Sequence, residues 1–161
     1  MNKACPVCGM DVQDKRIQVQ HLGNVYVFCS HQCQENFQKR PGLYSGTHAV
    51  QLERRNILKR RVFRINPPLN KEQIKAVQKA ITSMMGIEAM KVETNRIEIT
   101  YDLMRATAKQ IEDAISAGGA TLGQRLADHI KQGWIHYTEE NELDNLESAP
   151  GSCCNKPPAK A

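Results

Sequence analysis

Cys5-Pro6-Val7-Cys8-Gly9 opens the chain, and twenty residues after Cys8 it is answered by Cys29-Ser30-His31-Gln32-Cys33. Two close cysteine pairs separated by a hairpin-sized insert can converge on one ion, and four thiolates suit a closed tetrahedral zinc site. Gly9 permits the tight turn that aims the first two sulfurs inward and lets backbone amides approach them. Between the pairs, Ile17-Gln18-Val19-Gln20 and Val25-Tyr26-Val27-Phe28 read as two strands around Gly23-Asn24. The second pair fits the first turn of a helix over about 30–39, which sets Cys33 one turn from Cys29. Hairpin, knuckle and short helix make a treble-clef-like module. Its expected metal ligands are Cys5, Cys8, Cys29 and Cys33, with zinc the expected ion. His31 is a candidate auxiliary ligand, and the competing reading leaves it exposed on the helix. A redox role for the first pair lacks the βαβ pattern that usually surrounds one.

Working outward, residues 60–122 contain no cysteine and read strand, helix, strand, strand, helix. Arg61-Val62-Phe63-Arg64-Ile65 is β-type and stops at Pro67-Pro68. Asn70 caps a helix with Gln73 reaching back, and Ile74, Val77, Ile81 and Met84 share one face, which Gly86 ends. Residues 87–93 form a second strand, and Thr94-Asn95 is the turn. Ile97, Ile99 and Tyr101 then alternate with polar residues at a period of two. Thr107 with Gln110 repeats the capping pattern before Ile111, Ala114 and Ile115, and Gly118-Gly119 stops that helix. The predicted class is α+β, a ferredoxin-like βαββα(β) unit with its helices on one side of the sheet. Ala120-Thr121-Leu122 is the only candidate for the fourth strand. Met84, Met85 and Met90 read as packing residues rather than thioether ligands.

The expected organisation is a metal module over 1–46, a basic linker or short helix over 47–59 and the ferredoxin-like unit over 60–122. A helix over 123–147 and a flexible tail over 148–161 follow. Leu52, Ile57 and Leu58 would line the connecting helix. In the C-terminal helix Leu126, Ile130, Trp134 and Tyr137 recur at helical spacing, so Trp134 is expected to anchor it to the body. Pro, Gly and Ser surround Cys153-Cys154, which makes that pair a second candidate site, soft enough for copper(I) or another soft metal.

The 161 residues carry a formal net charge of +5, and residues 52–64 hold six Lys/Arg against one acid. Arg54, Arg55, Lys59, Arg60, Arg61 and Arg64 therefore read either as a solvated linker or as a candidate docking strip for an acidic partner, a nucleic acid or a membrane surface. The cluster Glu139, Glu140, Glu142, Asp144 and Glu147 is a candidate intramolecular counterpart. No apolar run approaches the about 18 residues of a membrane span, and the first residues lack a secretory stretch. A reducing, cytoplasmic setting follows, where six cysteines read as metal or redox groups rather than disulfides.

Cys5-Pro6-Val7-Cys8-Gly9-Met10, Tyr26-Val27-Phe28-Cys29-Ser30 with Cys33 and Phe37, and Pro41-Gly42-Leu43-Tyr44 resemble the YHS domain over residues 4–44. That domain belongs to the TRASH-like metal-handling modules. The family pattern has Asp where this chain has Cys5, so the resemblance implies a fuller, tighter, zinc-like site. Zinc-bearing ribosomal proteins share a related pattern, which keeps nucleic acid as an alternative partner. Met84-Met85-Gly86-Ile87-Glu88, Ile97 to Asp102 and Thr107 to Gly118 are similar to the heavy-metal-associated domain of copper chaperones. Where that family carries Cys-x-x-Cys, this chain has Asn66-Pro67-Pro68-Leu69-Asn70. The resemblance implies a non-enzymatic protein of copper, zinc or mercury trafficking, sensing or resistance. Its partner would be a metal transporter or other metal-handling protein. The alternative is a structural-zinc module that docks protein or nucleic acid through Arg54–Arg64. No nucleophile elbow, phosphate loop or metalloprotease helix is present.

Overall fold

A computed structural model describes residues 3–12, 16–45, 56–123 and 126–148. Strands β1 (Lys3–Ala4) and β2 (Asp11–Val12) pair antiparallel and close the first cysteine turn. Strands β3 (Gln18–His21) and β4 (Asn24–Val27) form a hairpin in which His21 faces Asn24. Its turn is Leu22-Gly23, one residue earlier than the sequence predicts. Both residues have positive φ, 48° and 78°, as the two-residue turn compatible with strand twist requires. Helix α1 (His31–Lys39) follows, and Ser30 caps it by accepting the N–H of Cys33. A 3-10 turn, Pro41–Leu43, ends the module. Its small core is aromatic: Phe37 has Tyr26 at 4.7 Å, Phe28 at 5.2 Å and the His21 ring edge-on at 5.7 Å.

The second unit runs β5 (Leu58–Arg64), α2 (Lys71–Thr82), β6 (Ile87–Val92), β7 (Arg96–Asp102), α3 (Ala108–Ala117). Sheet order is β5-β7-β6, both pairings antiparallel. Ile97, Ile99 and Tyr101 on the central strand are fully buried, with Val77 and Ile81 of α2 and Ile111 and Ile115 of α3 in the same core. Both expected capping boxes form, Asn70 with Gln73 and Thr107 with Gln110. The helices cross closely: a Cβ on Gly118 would lie 2.7 Å from Val77 Cγ2 and 2.8 Å from its Cα, so this contact admits only glycine. The fourth strand shrinks to a single antiparallel bridge between Ile65 and Leu122, flanked by Gly123 N to Arg64 O at 2.8 Å.

Strand β5 begins within the stretch expected to be linker. Ile57 and Leu58 do not line a helix: Ile57 N bonds Asp102 Oδ1 at 3.2 Å, and Leu58 pairs with Asp102 in the ladder. Leu52 lies outside the described residues.

Helix α4 (Leu126–Glu147) packs on the same face of the sheet as α3, but not through the residues the spacing favours. Ile130, Trp134 and Tyr137 are 65%, 67% and 60% exposed, so Trp134 does not anchor the helix. The inward face instead carries Ile135, Glu139, Leu143 and Leu146. Glu139 is buried, accepts the Tyr101 hydroxyl and the N–H of Ala108 (2.8 Å), and lies 3.4 Å from Arg61 Nε. A carboxylate at the first turn of α3 also meets that helix's positive end. The contact is thus organised around a polar residue, which an apolar-stripe reading assigns to solvent.

Side-chain amides lock the two units together. Gln32 Nε2 donates to Met85 O (3.0 Å) and Arg105 O (2.8 Å), while its Oε1 accepts Met85 N (3.0 Å). One turn on, Asn36 donates to Arg105 O (2.8 Å) and accepts from Gln110 Nε2 (2.7 Å). Tyr44 donates to Met104 O at 2.8 Å.

Candidate metal centre

The knuckle before Met10 is built by two backbone bonds, Cys5 N to Met10 O and Gly9 N to Cys5 O, both 2.8 Å. Gly9 takes φ 75°, as its position after Cys8 leads one to expect. Phe28 N bonds Ile17 O at 2.9 Å and fixes the end of the hairpin, so Cys29 leaves it toward the knuckle. Cys33 then projects from the first turn of α1.

These elements bring the Sγ atoms of Cys5, Cys8, Cys29 and Cys33 within 4.8 Å of one another. Cys8 and Cys29 are 3.3 Å apart, and Cys29 and Cys33 are 3.6 Å apart. Thiolates at about 2.3 Å from a tetrahedral zinc ion would sit about 3.8 Å from each other, so the donor set and its spacing fit such an ion. Cys5 and Cys33 are buried against Val7, Val27, Phe28 and Phe37, whereas Cys8 and Cys29 are half-buried. The cluster therefore has one dry side and one accessible side.

The sulfurs also shift one another's acidity. Hydrogen bonds from Cys33 and then Cys8 hold the Cys5 thiol far below its ordinary range against the opposing effect of burial. Cys33 is pushed up by its hydrogen bonds to Cys5 and Cys8 and by burial. Cys8, which Cys33 alone would lower, is pushed up to about 12 by its bond to Cys5 and by burial. An incoming cation must displace the protons held on Cys8 and Cys33.

His31 stands apart from this cluster. It is exposed on α1, with Nδ1 3.2 Å from Gln34 Oε1. Cys153, Cys154, Arg54 and Arg55 lie outside the described residues. The described part of the basic strip is largely answered within the chain. Lys59 pairs with Glu142 at 2.6 Å, Arg61 faces Glu139, and Arg60 Nε donates to Glu98 at 2.6 Å. Arg64 borders a cleft of about 710 Å³ with Arg96, Asp128 and Lys131. Arg40 pairs with Asp144 at 2.7 Å, so the acidic cluster meets cations from both units.

One feature of the centre has no counterpart in the sequence reading. A cleft of about 420 Å³ opens beside Cys5 and Cys8, bounded by Leu43, Tyr44, Asn56, Met104 and Arg105. Its far wall is the β7–α3 loop, the loop that Gln32 and Asn36 grip. The amide pair one turn apart on α1 was the available signal for that contact.

Residues 4–48, the N-terminal module, match the model of the YHS domain. No curated protein matches the chain. Among solved structures, the chain is similar to a putative copper-ion-binding protein from Bacillus anthracis str. Ames, at 20% identity and a TM-score of 0.40. That alignment covers 43% of this chain and 100% of the other. It is also similar to the CopZ metallochaperone (18% identity, TM-score 0.38, 40% of this chain and 100% of that one). A third similar structure is oxidized MerP from Ralstonia metallidurans CH34 (17% identity, TM-score 0.37, 42% of this chain and 99% of that one).

Proposed function

We propose that this chain handles heavy-metal ions, holding one ion, zinc in the first place, at Cys5, Cys8, Cys29 and Cys33. The observation that carries the reading is the convergence of four thiols, two of them half-buried, within 4.8 Å in a module that matches the YHS domain. The ferredoxin-like unit, with Asn66-Pro67-Pro68-Leu69-Asn70 in place of a cysteine pair, serves as a scaffold rather than a carrier. Amide, carbonyl and proline groups are poor ligands for copper(I) or zinc. Cys153-Cys154 supplies a second, exchangeable site for copper(I) or another soft ion. The protein acts without catalysis, in the cytoplasm, with a metal transporter or other metal-handling protein as partner. No described helix is long and apolar enough to cross a membrane.

Metal analysis of protein purified without added metal tests the reading. Wild type should contain one zinc per chain, and Cys8→Ser should lose it. A chain ending at Gly151 should keep the first ion and fail to take up an equivalent of copper(I) that wild type accepts. Wild type without stoichiometric metal, before and after zinc is offered, would refute the proposal.

A further inference from the structure

Arg64 and Arg96 face each other in the β5–β7 ladder. Facing residues have Cβ atoms about 5 Å apart, and two like charges at that distance destabilise the pair. The adjacent pair, Phe63 and Ile97, is buried, so the two arginines stand on the sheet face turned away from the core. Lys131, from the second turn of α4, borders the same cleft of about 710 Å³. Its walls are pinned by backbone bonds from Ile65 N to Asn95 O (2.9 Å), Asn66 N to Thr121 O (3.0 Å) and Gly123 N to Arg64 O (2.8 Å). The cleft is therefore formed before any ligand arrives. Its charges do not balance. Asp128 is the one carboxylate among the lining residues, against three cations. Arg96 shares Glu98 with Arg60, and neither Arg64 nor Lys131 has a carboxylate partner among the described residues. Elsewhere on this face the charges are matched, Arg60 with Glu98 and Lys91 with Glu93. The positive excess is thus confined to the cleft, whereas a nucleic-acid surface spreads it over a whole face.

We infer that this cleft binds a small molecule carrying two or more phosphate charges, held by Arg64, Arg96 and Lys131. The inference does not depend on the metal centre. Guanidinium groups match phosphate oxygens with two parallel hydrogen bonds, and an ammonium adds a point charge. A bound dianion also removes the repulsion between the two facing arginines. Asn66 and Asn95 offer side-chain amides to the polar part of such a ligand, and Val62, Ile65 and Pro68 offer apolar surface to its body. Small-molecule sites run from about 300 to about 1,000 Å³, which brackets this cleft. Asp128 opposes the anion and so limits its affinity.

The test titrates the full, zinc-loaded chain with inorganic pyrophosphate, followed by calorimetry and by amide NMR shifts. One equivalent should bind, and the amides of residues 64–66, 95–96 and 128–131 should move. Arg64→Gln and Lys131→Gln should each weaken binding at least about tenfold, because each removes a charge-assisted contact. Both side chains are exposed, so the fold should survive either change. Asp128→Asn should tighten binding several-fold, a gain that a merely structural role would not produce. Lys91→Gln, on the same sheet face but outside the cleft, should leave the affinity unchanged. No binding at millimolar pyrophosphate, or equal affinity in wild type and Arg64→Gln, would overturn the inference. Shifts confined to residues 5–9 and 29–33 would mean that the anion attacks the metal centre instead, and would overturn it too. A short single-stranded oligonucleotide should bind more weakly than pyrophosphate. Tighter binding of the oligonucleotide, lost in Arg64→Gln, would assign the cleft to nucleic acid and refute a small ligand.

Discussion

Leu22 holds φ 48° at a turn that prefers Asn-Gly, and its side chain is 84% exposed, so no packing compensates. A left-handed leucine costs about 1 kcal/mol, and Leu22→Asn should stabilise the zinc-loaded protein by about that amount, read as a higher denaturant midpoint at unchanged slope. An unchanged or lower midpoint would show that the turn is not strained. At the centre, Cys8 and Cys33 are both pushed above the ordinary thiol range. Both therefore carry protons at neutral pH, and binding releases them. Acid restores those protons and competes with the ion, so affinity falls as pH falls. Zinc affinity should fall by at least about tenfold per pH unit as pH drops below neutrality, because binding displaces thiol protons. Competition titrations at three pH values read this slope, and a flat profile would mean that the thiols are not the ligands. Cysteine spacing alone indicated these four residues, because ligand geometry is local in sequence. The cleft was not legible, because its two walls lie more than fifty residues apart.

The caps of α2 and α3 and the alternation of β7 could be read directly, since each depends on neighbours three or two positions away. The placement of α4 could not. Its buried face centres on Glu139, whose partners Tyr101 and Ala108 are 38 and 31 residues distant. Likewise β5 starts in the basic stretch because Leu58 pairs with Asp102, 44 residues on, in the ladder with β7. Glu139→Ala would leave the Tyr101 hydroxyl, the Ala108 amide and Arg61 buried without their acceptor. A loss of about 3–5 kcal/mol is expected. Glu139→Gln, which keeps an acceptor, should lose less. Chemical denaturation of both variants checks the order, and equal stability of wild type and Glu139→Ala would mean that α4 does not pack through this residue. The stripe of Ile130, Trp134 and Tyr137 misled because its periodicity is helical but its face is outward.

Across the whole molecule, one core joins three segments: Leu43 of the metal module and Leu143 of α4 pack with the sheet and helices between them. A fragment of residues 60–122 lacks Ile57, the start of β5 and the whole of α4. It should fail to fold cooperatively, whereas residues 56–148 should melt in a single transition. Amide exchange on both fragments distinguishes them, and protection in the shorter one equal to that in the longer would contradict the shared core. The metal module has a much smaller core of its own and depends on its ion for part of its stability. A chelator should therefore expose residues 4–44 to protease before the sheet opens. The central claim is that Cys5, Cys8, Cys29 and Cys33 together bind one ion. X-ray absorption at the zinc edge of the purified chain tests it most directly. Four sulfur neighbours at about 2.3 Å are predicted, falling to three in Cys8→Ser if any zinc remains. A shell dominated by nitrogen or oxygen in the wild type would contradict it.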